Sequence, residues 1–113
     1  MSYKSHWQAQ RLTALLLALL YPCLLMVLYS LRDACYGEMI HAFSNPLFAT
    51  LLAMTIAAAL YHAVLGLQVI IEDYVKNATL QKFIPQILKI IGIMAFVFTL
   101  FSIVRIMILG IQL

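Results

Sequence analysis

Charge is what this sequence has least of. Of its 113 residues only 10% are charged, while 65% are hydrophobic. A soluble domain of this size normally carries about 25% charged residues. So small a globule cannot hide that much apolar surface from water, and the bilayer is therefore the expected solvent. The seven basic and four acidic residues leave a formal charge of +3. They are too few and too scattered to make a nucleic-acid surface, which excludes that class of partner. Cysteine is equally sparse. Cys23 and Cys35 lack metal-ligand spacing and fall in different environments, one in an apolar run and one in a loop. A mutual disulfide is not expected.

A removable leader is also missing. The polar stretch Met1 to Arg11 is followed by an apolar run without a small-residue cleavage site, and no Arg/Ser-rich, acid-poor transit segment precedes it. The sequence is therefore expected to be the complete product, resident in a bacterial inner membrane or made inside an organelle.

What is present is three long uncharged or nearly uncharged runs. Residues 12–31 carry no charge, and twenty residues match the hydrocarbon thickness of a bilayer. Pro22 interrupts that run and should bend a helix there without ending it. Trp7, beside Lys4 and Arg11, suits a helix approaching the headgroups, and His6 and Trp7 read as interfacial anchors. After a short loop, Asn45-Pro46 is a good helix start, because proline's missing N–H is not needed in the first turn. The second run, 47–71, is again uncharged and longer than a crossing requires. Residues 72–86 read as a second loop, with Pro85 placed to open the third helix. The third run is 87–109, with Lys89 and Arg105 near its ends, where long side chains can snorkel. The expected fold is an all-α membrane protein of three transmembrane helices in one domain, 1–113. Cys23 and the methionines read as packing.

Three spans put the N-terminus and the second loop on one side. That side collects Lys4, Arg11, Lys76, Lys82 and Lys89, against Arg32 and Arg105 on the other. The positive-inside rule then places the N-terminus in the cytoplasm (or matrix) and the C-terminus outside, in the periplasm for a bacterial protein.

The chemistry gathers on the segment Tyr61 to Lys76. His62 lies deep in the second run, where polar groups are expensive and tend to mark sites. It suits either a hydrogen bond to a neighbouring span or an axial bond to haem iron, since neutral imidazole offers a nitrogen lone pair. Gly66, one turn on, leaves room for a flat macrocycle or for a neighbouring helix. No second histidine lies at membrane depth, so a six-coordinate haem would need its other ligand from a different chain. Eleven residues after His62 comes Asp73, close to three helical turns and about 16 Å along the axis, so His62, Gly66 and Asp73 point broadly the same way. Tyr74 follows, rotated by about 100°. A tyrosine hydroxyl can donate to a quinone carbonyl without burying a full charge; equally, the pair can be a solvated helix end. Arg11, at the same depth, can meet Asp73, a haem propionate or a lipid phosphate. Gln68 can bridge helices or line a cofactor pocket.

These residues carry a resemblance. His6-Trp7-x-x-x-Arg11-x-Thr13-Ala14 and His62-x-x-x-Gly66 with Asp73-Tyr74 resemble two signatures of the smaller membrane-anchor subunits (the D subunits) of succinate dehydrogenase, respiratory complex II. The likeness covers three spans in the right order over most of the chain. It departs before the first motif, where Tyr3 and Lys4 stand in place of a glycine. The resemblance implies half of a heterodimeric haem-binding helical bundle in a four-subunit complex. Its partners would be a larger cytochrome b anchor, an iron–sulfur subunit and a flavoprotein subunit. Carried over, His62 is similar to the haem b ligand, Tyr74 to the tyrosine contacting ubiquinone, and Asp73 to its acidic neighbour. Arg11 is similar to the arginine near haem and quinone. The implied role is a non-catalytic anchor serving electron transfer from succinate to quinone in the tricarboxylic acid cycle. The alternatives are the anchor of a quinol:fumarate reductase and a cofactor-free helical scaffold.

Overall fold

The computed structural model describes residues 3–112. Four helices account for nearly all of them: α1 Tyr3–Ser30, α2 Tyr36–Phe43, α3 Pro46–Tyr74 and α4 Ala78–Gln112. The protein is all-α, and α1, α3 and α4 are each long and apolar enough to cross a bilayer. At 1.5 Å per residue the 35 residues of α4 run about 52 Å, well beyond a hydrocarbon core of about 30 Å. The helices therefore project past the apolar layer. The elongated molecule, 53 × 24 × 21 Å, reflects that length.

α3 is the middle of the arrangement. It packs against α1 on one side and α4 on the other, while α1 and α4 do not pack together among the described residues. The short α2 tucks between α3 and α4 at the far end. Asn45 opens α3 as its flanking residues suggest, with Oδ1 accepting from Leu47 N at 2.9 Å and Pro46 in the first turn. α3 and α4 come close because Gly92 faces Val64; a Cβ on Gly92 would stand 3.2 Å from Val64 Cγ2.

Two boundaries differ from the sequence reading. The first loop contains α2, begun by Cys35, whose N–H donates to Glu38 Oε2 at 3.2 Å. The second loop is only residues 75–77, and Pro85 does not open α4 but lies inside it. The start is set by Asn77, whose Oδ1 accepts from Thr79 N at 2.9 Å and Leu80 N at 3.3 Å. A side-chain cap satisfies amides that would otherwise be orphaned, so the helix begins there. Proline is tolerated eight residues in because a membrane helix can re-satisfy one freed carbonyl. Gln81 Nε2 also donates to Glu72 O at 3.0 Å, tying the first turns of α4 to the end of α3.

Very little is buried. Leu24, Ile40, Phe48, Ala49, Leu65 and Ile103 are the enclosed apolar residues, whereas large side chains such as Leu19, Met26, Phe98 and Ile111 stand out from the surface. That is the inverse of a water-soluble core. The outer surface is built for lipid or for other membrane helices.

Candidate functional site

The site is assembled where α1 crosses α3. His62 is half-buried, with its Nδ1 2.9 Å from the hydroxyl of Thr13 on α1. Thr13 is only 6% exposed. The same hydroxyl lies 2.9 Å from Ala9 O and 3.0 Å from Gln10 O. A hydroxyl has one proton, and carbonyls only accept. The assignment that satisfies these contacts has Thr13 donating to its own helix and accepting from His62 Nδ1–H. Nε2 then keeps its lone pair. An imidazole held in that tautomer is a competent metal ligand, so the donor set fits a haem iron bound at His62 Nε2.

Gly66, one turn further along α3, also faces α1. A Cβ there would stand 3.3 Å from Gln10 Nε2, so glycine lets that side chain lie close against α3. Gln10 Oε1 is buried without a partner among the described residues. Thr13 stands in the first-helix signature but was given no role there, and Gln10 was not singled out from the sequence. Each owes its role to a neighbour about fifty residues away, and the only local signal is a polar residue facing inwards at the opening of a span.

The polar end of the site lies at the exit of α3. Asp73 lines a cavity of ≈ 400 Å³ with His6, Trp7, Gln10 and Glu72. Tyr74 is 79% exposed. Arg11 does not pair with Asp73 among the described residues; its guanidinium lies 4.2 Å above the Trp7 ring, a cation–π contact. Lys76 Nζ reaches the Asp73 carbonyl at 3.4 Å. The fold thus brings His62, Gly66 and Thr13 together at depth, and His6, Trp7 and Asp73 at the rim. It does not join Arg11 to either acid. Gln68, 4% exposed and with Oε1 unpartnered, lines a second, mostly apolar cavity of ≈ 370 Å³ beside Tyr61, Lys89 and Gly92. Cys23 and Cys35 are free and exposed. Among the described residues no three His, Cys, Asp or Glu side chains gather as a metal cluster.

Three apolar helices, with a half-buried histidine where α1 crosses α3 and a polar rim at one end, describe an integral membrane chain. Comparison with known proteins makes this specific. The chain belongs to the succinate dehydrogenase/fumarate reductase transmembrane subunit family, whose family model matches residues 3–109. It is 32% identical over 99 residues to the succinate dehydrogenase hydrophobic membrane anchor subunit of Rickettsia typhi, covering 85% of this chain and 79% of that protein. To the Rickettsia felis protein of the same name it is 34% identical over 99 residues, covering 85% and 82%. No solved structure matches.

Proposed function

We propose that this chain is the smaller hydrophobic anchor of a succinate:quinone oxidoreductase, holding haem b through His62 and shaping the rim of a quinone site with Tyr74 and Asp73. The observation that carries the reading is the Thr13–His62 hydrogen bond of 2.9 Å. It directs Nδ1–H into α1 and leaves Nε2 as the free ligand nitrogen.

When bound, the haem would supply a one-electron redox centre, and His62 would hold it together with a residue of the larger cytochrome b subunit. Gly66, still partly accessible one turn from His62, is where the macrocycle would lie against the helix. At the rim the phenol of Tyr74 donates a hydrogen bond to a quinone carbonyl. Asp73, at the edge of the water-accessible cavity, passes protons towards that oxygen as reduction proceeds. Arg11, stacked over the Trp7 ring that lines the rim cavity, would supply a cation on that side of the bundle. Succinate is oxidised in a flavoprotein subunit, and two electrons pass through an iron–sulfur subunit to the quinone. Two protons complete the quinol. The N-terminal side, with its excess of lysine and arginine, faces the bacterial cytoplasm and receives the soluble subunits. The same family also serves the opposite direction, quinol:fumarate reduction, in which the roles of these residues are unchanged.

The deciding experiment is the reduced-minus-oxidised visible spectrum of the purified complex, with and without His62→Ala. Reduced b-type bands in the wild type that are lost or altered in the variant are expected. Unchanged bands at full occupancy would refute the ligand role. A wild type without such bands would leave a cofactor-free scaffold in which His62 only joins two helices.

A further inference from the structure

We infer that Thr13 is a positioning residue for the haem ligand, setting the tautomer, ring plane and donor strength of His62. This rests on the haem-holding role proposed for His62 and adds to it the group that controls that role. Thr13 Oγ1, on α1, is the group that meets the His62 ring nitrogen, on α3. The hydroxyl is itself anchored, buried to 6% exposure and bonded to the carbonyls one turn earlier in α1. A relay therefore runs from His62 Nδ1–H to Thr13 Oγ1 and from Thr13 O–H to the backbone of Ala9 or Gln10. No rotation of the threonine can break one link without straining the other.

Three consequences follow from that relay. In the neutral ring the bond holds the proton on Nδ1, which leaves the Nε2 lone pair for a metal. The imidazole plane is tied to α1 rather than free to turn about its bond to α3. The acceptor is a neutral hydroxyl, which raises the basicity of the imidazole less than a carboxylate would. Losing it weakens the histidine as a donor, favours ferrous over ferric iron and raises the midpoint potential. An unpaired Nδ1–H would also be left in a poorly hydrated position.

The test compares wild type, Thr13→Ser and Thr13→Val in the assembled complex. Thr13→Val is expected to raise the haem midpoint potential, shift the low-field signal of the ferric haem in electron paramagnetic resonance, and weaken haem retention by roughly 10- to 100-fold. Thr13→Ser, which keeps the hydroxyl, should match the wild type in all three. Equal shifts in Ser, which keeps the hydroxyl, and Val, which keeps the methyl, would assign the effect to any disturbance of packing at residue 13 and overturn the proposal, as would no shift in Val.

A second measurement does not need haem. Histidine-selective ¹⁵N NMR of the complex assembled in haem-deficient cells should show His62 protonated at Nδ1 in the wild type and the serine variant. That preference should be lost in the valine variant. A wild-type ring protonated at Nε2 overturns the role of Thr13 while leaving iron ligation itself to be judged from the spectrum. Absence of b-type bands in a wild type whose His62 carries its proton on Nδ1 overturns the haem reading instead.

Discussion

Thr13 and His62, forty-nine positions apart, share a hydrogen bond of 2.9 Å that ties α1, about three turns from its start, to the middle of α3. Because the bond lies within one chain, it should exist before any cofactor is bound. A double-mutant cycle with Thr13→Val and His62→Leu, read from thermal unfolding of the haem-free complex, should therefore show coupling. In membrane proteins such bonds average about 0.6 kcal/mol and reach about 1.7. Strict additivity of the two substitutions would mean the pair contributes nothing to helix association.

Tyr74 tests the rim independently of the interior. Its side chain is 79% exposed and outside the packing of its own chain, so Tyr74→Phe removes one hydroxyl and disturbs nothing else in the fold. Succinate-driven quinone reduction should fall by an order of magnitude or more, in the range for loss of a positioned proton donor of about 10²-fold. Haem content and thermal stability should stay at wild-type levels. Parallel loss of haem and activity would point to misassembly rather than to a role at the quinone.

How far these features could be read from the sequence depends on how local their causes are. The three crossings were legible because apolar runs of twenty or more residues, charged at most near their ends, have few other solutions. The start of α3 was legible because Asn45 and Pro46 act within two residues of each other. The start of α4 was misplaced because Pro85 is a conspicuous helix-opening residue, while the cap that operates is Asn77, a residue equally at home in a loop. α2 was missed because eight residues among charges and turn formers give too short a pattern. Among the proposed site residues, His62 drew attention as costly in lipid and Asp73 by its spacing from it. Thr13 did not, since a threonine inside a membrane helix can satisfy itself on its own backbone; only the crossing of α1 over α3 gives its hydroxyl a second partner.

The reassigned start of α4 can be checked directly. Asn77→Ala removes the acceptor used by the Thr79 and Leu80 amides and should destabilise the complex by about 1 kcal/mol. Asn77→Asp or Asn77→Ser should restore most of that loss. If α4 instead began at Pro85, all three substitutions would be silent in thermal unfolding, since residue 77 would then sit in a loop.

The two glycines on helix faces separate flexible from stiff neighbours. At Gly66 an added methyl meets the far end of Gln10, 3.3 Å away, and an amide on a long side chain can swing aside. At Gly92 it meets Val64 Cγ2 at 3.2 Å, a branched side chain with essentially one rotamer in a helix. Both substitutions to alanine gain about 1 kcal/mol of helix propensity. Gly66→Ala should therefore be neutral to slightly stabilising. Gly92→Ala should lose its gain to overpacking, which costs about 1–3 kcal/mol, and come out neutral to destabilising. Adding Val64→Ala to Gly92→Ala should relieve the clash and recover part of that loss. Thermal unfolding of the four haem-free complexes, wild type included, decides the matter: if Gly66→Ala proves the more damaging of the two single substitutions there, Gln10 is held far more rigidly against α3 than its unpaired carboxamide oxygen suggests.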